Sequence, residues 1–110
     1  MTNASSAAET NLNLSITFRH TESTDALKSA ATDKISHVIQ KYIHKDAEAN
    51  IVLSLEKLDH TAEVHLVSKG YDVAASATTD NMYSAIDKLC HQLSTQLRRQ
   101  KEKMVKNSRS

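Results

Sequence analysis

The sequence predicts an α+β fold with the element order β-α-β-β-β-α, in which a four-stranded mixed sheet carries two helices on one face. Four segments alternate apolar and polar residues, and two others repeat apolar residues every three or four positions. Because each alternating segment is apolar on one side only, both helices have to cover the same sheet face. A chain of 110 residues, 39% hydrophobic and 25% charged, has the size and composition of one globular domain.

The alternating segments define the strands. The first begins at Leu12 and ends near Arg19, and the others are centred on the residues 51–55, 64–66 and 71–77. Between them the sequences LDHT and SKGY are short enough for hairpins, and Gly70, the only glycine, suits a turn that needs positive φ. We expect the first two strands to be parallel, joined by a right-handed crossover through a helix, and the rest to be antiparallel.

The two helices differ in length. The first is predicted to begin after the cap residue Thr24, with Asp25 in its first turn, and to end near His44. Either Asp80 or Asn81 can cap the second, which no proline or glycine interrupts before about Lys106, a length of roughly 40 Å. The apolar positions are Leu27, Ala31, Ile35, Val38, Ile39 and Tyr42 in the first helix, and Met82, Ala85, Ile86, Leu89, Cys90, Leu93 and Leu97 in the second.

The domain is predicted to span residues 12–106, with a flexible N-terminal tail over 1–11 and a flexible C-terminus over 107–110. The tail is small and polar, with no lysine, arginine or apolar run, so it does not resemble a secretion signal. No segment approaches the roughly 18 apolar residues of a membrane span. We therefore expect a cytoplasmic protein with no membrane partner.

Catalytic and metal chemistry find little support. Cys90 is the only cysteine and lies on an apolar helix stripe, which predicts a small buried side chain and a poor nucleophile. The six histidines show neither HxxxH nor HExxH spacing, and a single glycine excludes P-loop, GxGxxG and GxSxG motifs. We expect no enzyme activity, no metal, no cofactor and no small-molecule substrate.

The charge is distributed unevenly. The formal net charge is +1, but residues 96–110 hold six basic residues and one acidic residue, a charge of +5, which leaves −4 for residues 1–95. Lys88, Arg99 and Lys106 share one stripe of the final helix, opposite its apolar stripe. With four aromatic residues in the chain, such a rod suits recognition of folded or double-stranded RNA through phosphates and shape. A solvated helix end, where the dipole favours cations, is the alternative interpretation.

The final helix also resembles a known family. Residues 81–87 read Asn-Met-Tyr-Ser-Ala-Ile-Asp, followed by Leu93, by Gln-Leu-Arg-Arg at 96–99 and by Lys-Glu-Lys at 101–103. This pattern, with Leu-Glu-Lys at 55–57, is similar to the short-form ribosome hibernation-promoting factors, a bacterial family that includes the ribosome-associated inhibitor. The chain departs from the family at Asn81, Gln92 and Thr95, where Asp, Lys and Arg are usual.

The resemblance implies a domain similar to double-stranded RNA-binding domains that docks on the small ribosomal subunit. There the family occupies the mRNA and tRNA channel against 16S rRNA and silences translation under stress or in stationary phase. Long-form members add a C-terminal domain that pairs ribosomes, and we expect this chain to lack one. Any ribosome dimers are then expected to need a separate ribosome modulation factor.

The candidate RNA-binding residues follow from the charge pattern and the resemblance together. Lys34 has a structural alternative, which is to flank the apolar stripe of the first helix. For Tyr83 and its neighbour Met82, packing in the core is the alternative to contact with rRNA. A rival class is a protein-interaction module that self-associates through an exposed sheet face bearing Val52, Leu58 and Val67. The RNA-binding candidates are Lys88, Arg98, Arg99, Lys101 and Lys103, with Lys57, Lys28, Lys34 and Tyr83 as secondary members.

Overall fold

A computed structural model describes residues 11–109, with side chains as far as Lys103. The predicted tail, apart from Asn11, lies outside the described residues, as does Ser110. The predicted element order is confirmed. The elements are β1 (Leu12–Arg19), α1 (Asp25–Tyr42), β2 (Ala47–Glu56), β3 (Asp59–Ser68), β4 (Tyr71–Thr79) and α2 (Met82–Arg109).

The sheet has the strand order β1-β2-β3-β4. β1 and β2 are parallel, with Leu12 opposite Ala47 and Arg19 opposite Ser54, as the intervening helix predicts. The β2-β3 and β3-β4 pairs are antiparallel hairpins. In consequence β1, β2 and β4 all terminate at the same end of the sheet, and α1 and α2 both begin at that end.

Two strand boundaries differ from the prediction. β2 begins at Ala47, four residues before Ile51, because the small side chains of Ala47 and Ala49 are buried but give a weak hydrophobic signal. Most of the LDHT interval belongs to β3, and the hairpin turn consists of Lys57 and Leu58. Lys57 takes the left-handed conformation, with φ 58°. The second turn is as predicted, with Gly70 at φ 89°.

The helix caps follow the sequence closely. The Thr24 hydroxyl accepts the Leu27 N–H at 3.1 Å, and Asn81 rather than Asp80 caps α2. α1 ends at Tyr42, two residues before the predicted His44, because Ile43 turns to an extended conformation and buries its side chain in the core. α2 continues to Arg109, three residues beyond the predicted end.

Both helices pack on the same face of the sheet, as the one-sided alternation predicts. Ile35 and Ile39 of α1 and Leu89 and Leu93 of α2 are almost completely buried against the inward-facing strand residues. Cys90 is half-buried beside them. No helix in the described part of the chain has the length and apolarity to cross a bilayer.

Candidate RNA-binding surface

Beyond its last buried residue, α2 continues as a helix whose described basic side chains are exposed. Leu97 is fully buried, whereas Arg98, Arg99, Lys101 and Lys103 beyond it are all exposed. We call residues 98–109 the basic arm. At 1.5 Å per residue the arm continues for about 18 Å past Leu97. Within the described residues none of these four cations takes part in an ion pair, so their charges are available to a ligand.

Two hydrogen bonds hold α2 in place just before the arm. Gln96 Nε2 donates to the Ala74 carbonyl oxygen of β4 at 3.0 Å. Two residues earlier in α2, the hydroxyls of Ser94 and Tyr42 lie 3.2 Å apart and join α2 to α1. With Leu97 buried beside them, these contacts give the arm a rigid base. Sequence reasoning missed both; the available signal was polar residues close to the edges of the apolar stripe.

The predicted basic stripe on α2 is interrupted. Lys88 and Arg99 are both exposed and lie eleven residues apart, about 16 Å along the helix axis. Between them the half-buried Thr95 donates its hydroxyl to the His91 carbonyl oxygen of the same helix, at 3.1 Å. Gln92 is exposed but uncharged. The two departures from the family pattern therefore leave a neutral gap between Lys88 and the arm.

A second group of candidates lies at the other end of the domain. Lys57 lies in the β2-β3 turn, Lys28 lies in the first turns of α1, and Tyr83 lies in the first turn of α2. All three are near the end of the sheet at which both helices begin. Tyr83 is 46% exposed, so its predicted alternative of core packing is wrong, whereas that of Met82, which is 5% exposed, is confirmed. Along α2, Tyr83 and Arg99 are about 24 Å apart. Only an extended ligand can contact both groups.

Lys34 is engaged within the protein. Its Nζ lies 2.5 Å from Asp87 Oδ1, and the hydrogen bond to that carboxylate raises the pKa of Lys34. The two side chains remain about half exposed, so the pair is a surface contact that links α1 to α2. A phosphate would have to compete with Asp87 for this ammonium group, which makes Lys34 the weakest of the predicted contacts.

The described residues offer neither a reactive thiol nor a metal site. Burial raises the pKa of the Cys90 thiol to about 11, which keeps it protonated and a poor nucleophile at neutral pH. Among the described residues no three His, Cys, Asp or Glu side chains are grouped so that they can hold a metal ion. The cations of α2 are thus the feature of this surface that suits a ligand, and that ligand would be a polyanion.

Fold and surface together define a class, a small α+β domain whose C-terminal helix extends as a cation-lined arm. The chain belongs to the family described as Sigma 54 modulation protein / S30EA ribosomal protein, which matches residues 14–105. The family resemblance seen in the sequence is thereby confirmed.

Among curated relatives, the ribosome hibernation promoting factor of Escherichia coli (strain K12) is 34% identical over 93 residues, 84% of this chain and 97% of that protein. The protein of the same name from Pseudomonas putida (strain KT2440) is 32% identical over 92 residues, 84% of this chain and 89% of that protein.

Solved structures share the fold. The N-terminal domain of Thermus thermophilus Protein Y superposes with a TM-score of 0.73 at 28% identity, covering 79% of this chain and 97% of that one. A ribosomal subunit interface protein from Coxiella burnetii gives the same TM-score of 0.73 at 24% identity, covering 82% and 98%. The latter supports the fold alone.

Proposed function

We propose that this protein is a non-enzymatic ribosome hibernation factor of the cytoplasm. In this proposal it binds the small ribosomal subunit in the mRNA and tRNA channel, through 16S rRNA phosphates, and silences translation under stress or in stationary phase. The names of the relatives support a ribosome-associated role. The observation that carries the RNA contact is the basic arm, four exposed cations on a helix that extends past the core.

Phosphate binding accounts for the form of the arm. A straight helix holds Arg98, Arg99, Lys101 and Lys103 within about 8 Å of axis, so several phosphates of a folded RNA are within reach at once. Each phosphate neutralised releases condensed counterions, which makes the affinity fall as salt rises. Four contacts predict a slope of log K against log salt of about −3.6 for duplex-like RNA, and about −2.8 for single strands.

Recognition in this proposal depends on shape rather than base sequence. Tyr83 is the only large aromatic side chain that the described residues leave substantially exposed, which is too little for a base-stacking surface. The ligand is therefore a folded RNA of fixed shape, for which 16S rRNA is the candidate. Lys88 and the group of Lys28, Lys57 and Tyr83 would extend the contact along the domain. A domain seated in the channel would exclude mRNA and tRNA by volume, with no chemical step.

Co-sedimentation with purified small subunits tests the RNA contact. The variant pair Arg99→Glu and Lys103→Glu removes two cations of the arm, and Lys45→Glu with Lys69→Glu makes the same charge change on exposed residues outside the arm, in the loops that precede β2 and β4. We expect the arm variant to bind more weakly than the wild type and the control to keep most of the binding. The slope of log K against log salt should be shallower by about two units in the arm variant than in the wild type. Equal pelleting of arm variant and wild type at every salt concentration would contradict the proposal.

The consequence for translation is measured separately. Wild-type protein is expected to inhibit cell-free translation less when mRNA and tRNA are added first, because all three would occupy the same channel. Inhibition independent of the order of addition would exclude the channel. Sucrose gradients with and without an added ribosome modulation factor then test whether paired ribosomes need that partner; pairing without it would contradict this part of the proposal.

A further inference from the structure

The outer face of the sheet, opposite the helices, has no partner in the described structure. Side chains from all four strands form rows across it, such as the row of Thr17, Val52, Glu63 and Ser76. The charged side chains of this face are five carboxylates and one guanidinium, a formal charge of −4 among the described residues. They are Glu48, Glu56, Asp59, Glu63 and Asp72, with Arg19.

The face is shaped to receive long basic side chains. A shallow depression of about 430 Å³ lies at its centre, lined by Val52, Glu63, His65 and Ala74 among others. The apolar floor of Val52 and Ala74 suits the methylene stem of a lysine or arginine, and Glu63 lies beside it for the charged head. Of the apolar residues predicted here, Val52 and Val67 do lie on the face, whereas Leu58 lies in the β2-β3 turn.

The basic arm carries the complementary charge but cannot reach this face of its own chain. α2 packs on the opposite side of the sheet, and it runs as one helix from Met82 to Arg109 without a glycine or proline at which it could fold back. The complementary charges can therefore meet only between two molecules. A symmetric contact between two outer faces would instead oppose −4 with −4, which is unfavourable.

We propose that the outer sheet face of one copy binds the basic arm of a second copy, head to tail. The contact is heterologous, so it adds copies in a row or closes a ring. Four strands about 4.8 Å apart and eight residues long present roughly 400 Å², which places the contact among weak, salt-sensitive interfaces.

This inference rests on the arm used in the proposed function. In consequence rRNA and a second copy compete for the same cations. The self-associated protein is then a reserve form that small subunits dissociate by taking up the arm.

Sedimentation velocity on nuclease-treated protein, from 10 to 200 μM, tests the contact at roughly 30 mM and roughly 300 mM salt, chosen to bracket a Debye length of about 10 Å. The face variant is Glu48→Gln with Glu63→Gln, the arm variant is Arg99→Glu with Lys103→Glu, and Glu22→Gln with Asp33→Asn is the control away from the face. We expect the wild type and the control to associate with increasing concentration at low salt and to dissociate at high salt. The face variant alone and the arm variant alone are each expected to stay monomeric.

Mixing provides the decisive observation. The face variant retains an intact arm and the arm variant an intact face, so an equimolar mixture should form a heterodimer that cannot grow further. A wild type that is monomeric at 200 μM and low salt would overturn the proposal and leave the face to a basic protein partner. A dimer that persists in the arm variant alone would also overturn it, in favour of contact between two sheet faces.

The two proposals fail separately. The face variant should bind small subunits as wild type does, because its arm is unchanged. If the arm variant loses self-association but still binds subunits, the proposed rRNA contact is wrong and the head-to-tail contact stands. If it loses subunit binding while the wild type stays monomeric, the reverse holds.

Discussion

The cap of α2 yields a prediction with a defined size, because one side chain satisfies two backbone donors. Asn81 Oδ1 accepts the N–H of Tyr83 at 2.8 Å and that of Ser84 at 3.3 Å. Asn81→Ala removes this one acceptor and leaves both donors to water. We expect a loss of about 1 kcal/mol in the free energy of unfolding, within the usual range of about 0.5–2 kcal/mol for such caps.

The substitution Asn81→Asp separates the hydrogen bonds from the charge. A carboxylate accepts the same two N–H groups and adds a negative charge to a helix whose first turn has no acidic residue. Interaction with the helix dipole contributes about 0.3–1 kcal/mol at low salt, less the repulsion from the adjacent Asp80. We therefore expect this variant to be at least as stable as the wild type at low salt, with any gain decreasing as salt is added.

Urea unfolding followed by circular dichroism measures both changes. The urea m-value should stay unchanged. In thermal unfolding of a domain of this size, a loss of about 1 kcal/mol corresponds to a decrease in Tm of roughly 4–8 °C. Asn13→Ala, at an exposed position of β1, is the control and should change stability by less than about 0.5 kcal/mol. If Asn81→Ala unfolds at the wild-type urea concentration, or if Asn81→Asp is less stable than Asn81→Ala, the assigned cap is wrong.

Three further predictions concern the core, the thiol and the ion pair. Leu93→Ala is expected to lower the free energy of unfolding in urea by about 2–5 kcal/mol and Leu58→Ala by less than about 0.5 kcal/mol, because the Leu93 side chain is buried and that of Leu58 is 82% exposed. Similar losses for the two variants would contradict the packing. Cys90, with its pKa raised to about 11 from 9.0, should react with iodoacetamide at pH 8 about 100-fold more slowly than the urea-unfolded chain. The free energy of unfolding should decrease as the pH rises from 9.0 to about 11, because the thiol of the unfolded chain loses its proton first. Equal alkylation rates would exclude the burial of Cys90. A double-mutant cycle of Lys34→Ala and Asp87→Ala should give a coupling of about 0.2–1 kcal/mol, since both side chains are about half exposed. Zero coupling would contradict a stabilising contribution of this pair.

Sequence periodicity was sufficient for the type and order of the elements but not for all of their ends. The caps at Thr24 and Asn81 could be predicted because they are local, each joining a side chain to backbone groups two or three residues away. The starts of β2 and β3 depend instead on partner strands. Asp59 lies in a strand because it is opposite Glu56, and no local pattern distinguishes it from a turn residue.

The candidate site was predictable to the same extent. The exposure of Arg98 and Arg99 follows from helical spacing beyond the last apolar position, Leu97. The pairing of Lys34 with Asp87 was not predictable, because the two residues are 53 positions apart in the sequence and meet only when α1 packs on α2. The same holds for Gln96, whose partner is a carbonyl group of β4.

The distribution of charge separates what the sequence determines from what only the tertiary structure determines. A basic end of +5 and a body of −4 can be counted along the chain, because α2 keeps its cations together in one continuous segment. That five of the twelve carboxylates of the body share one sheet face is decided by the pairing of β2, β3 and β4, since strand register alone aligns Glu48 with Asp72 across the sheet. Local patterns are read along the backbone, whereas a surface exists only after distant segments have been brought side by side.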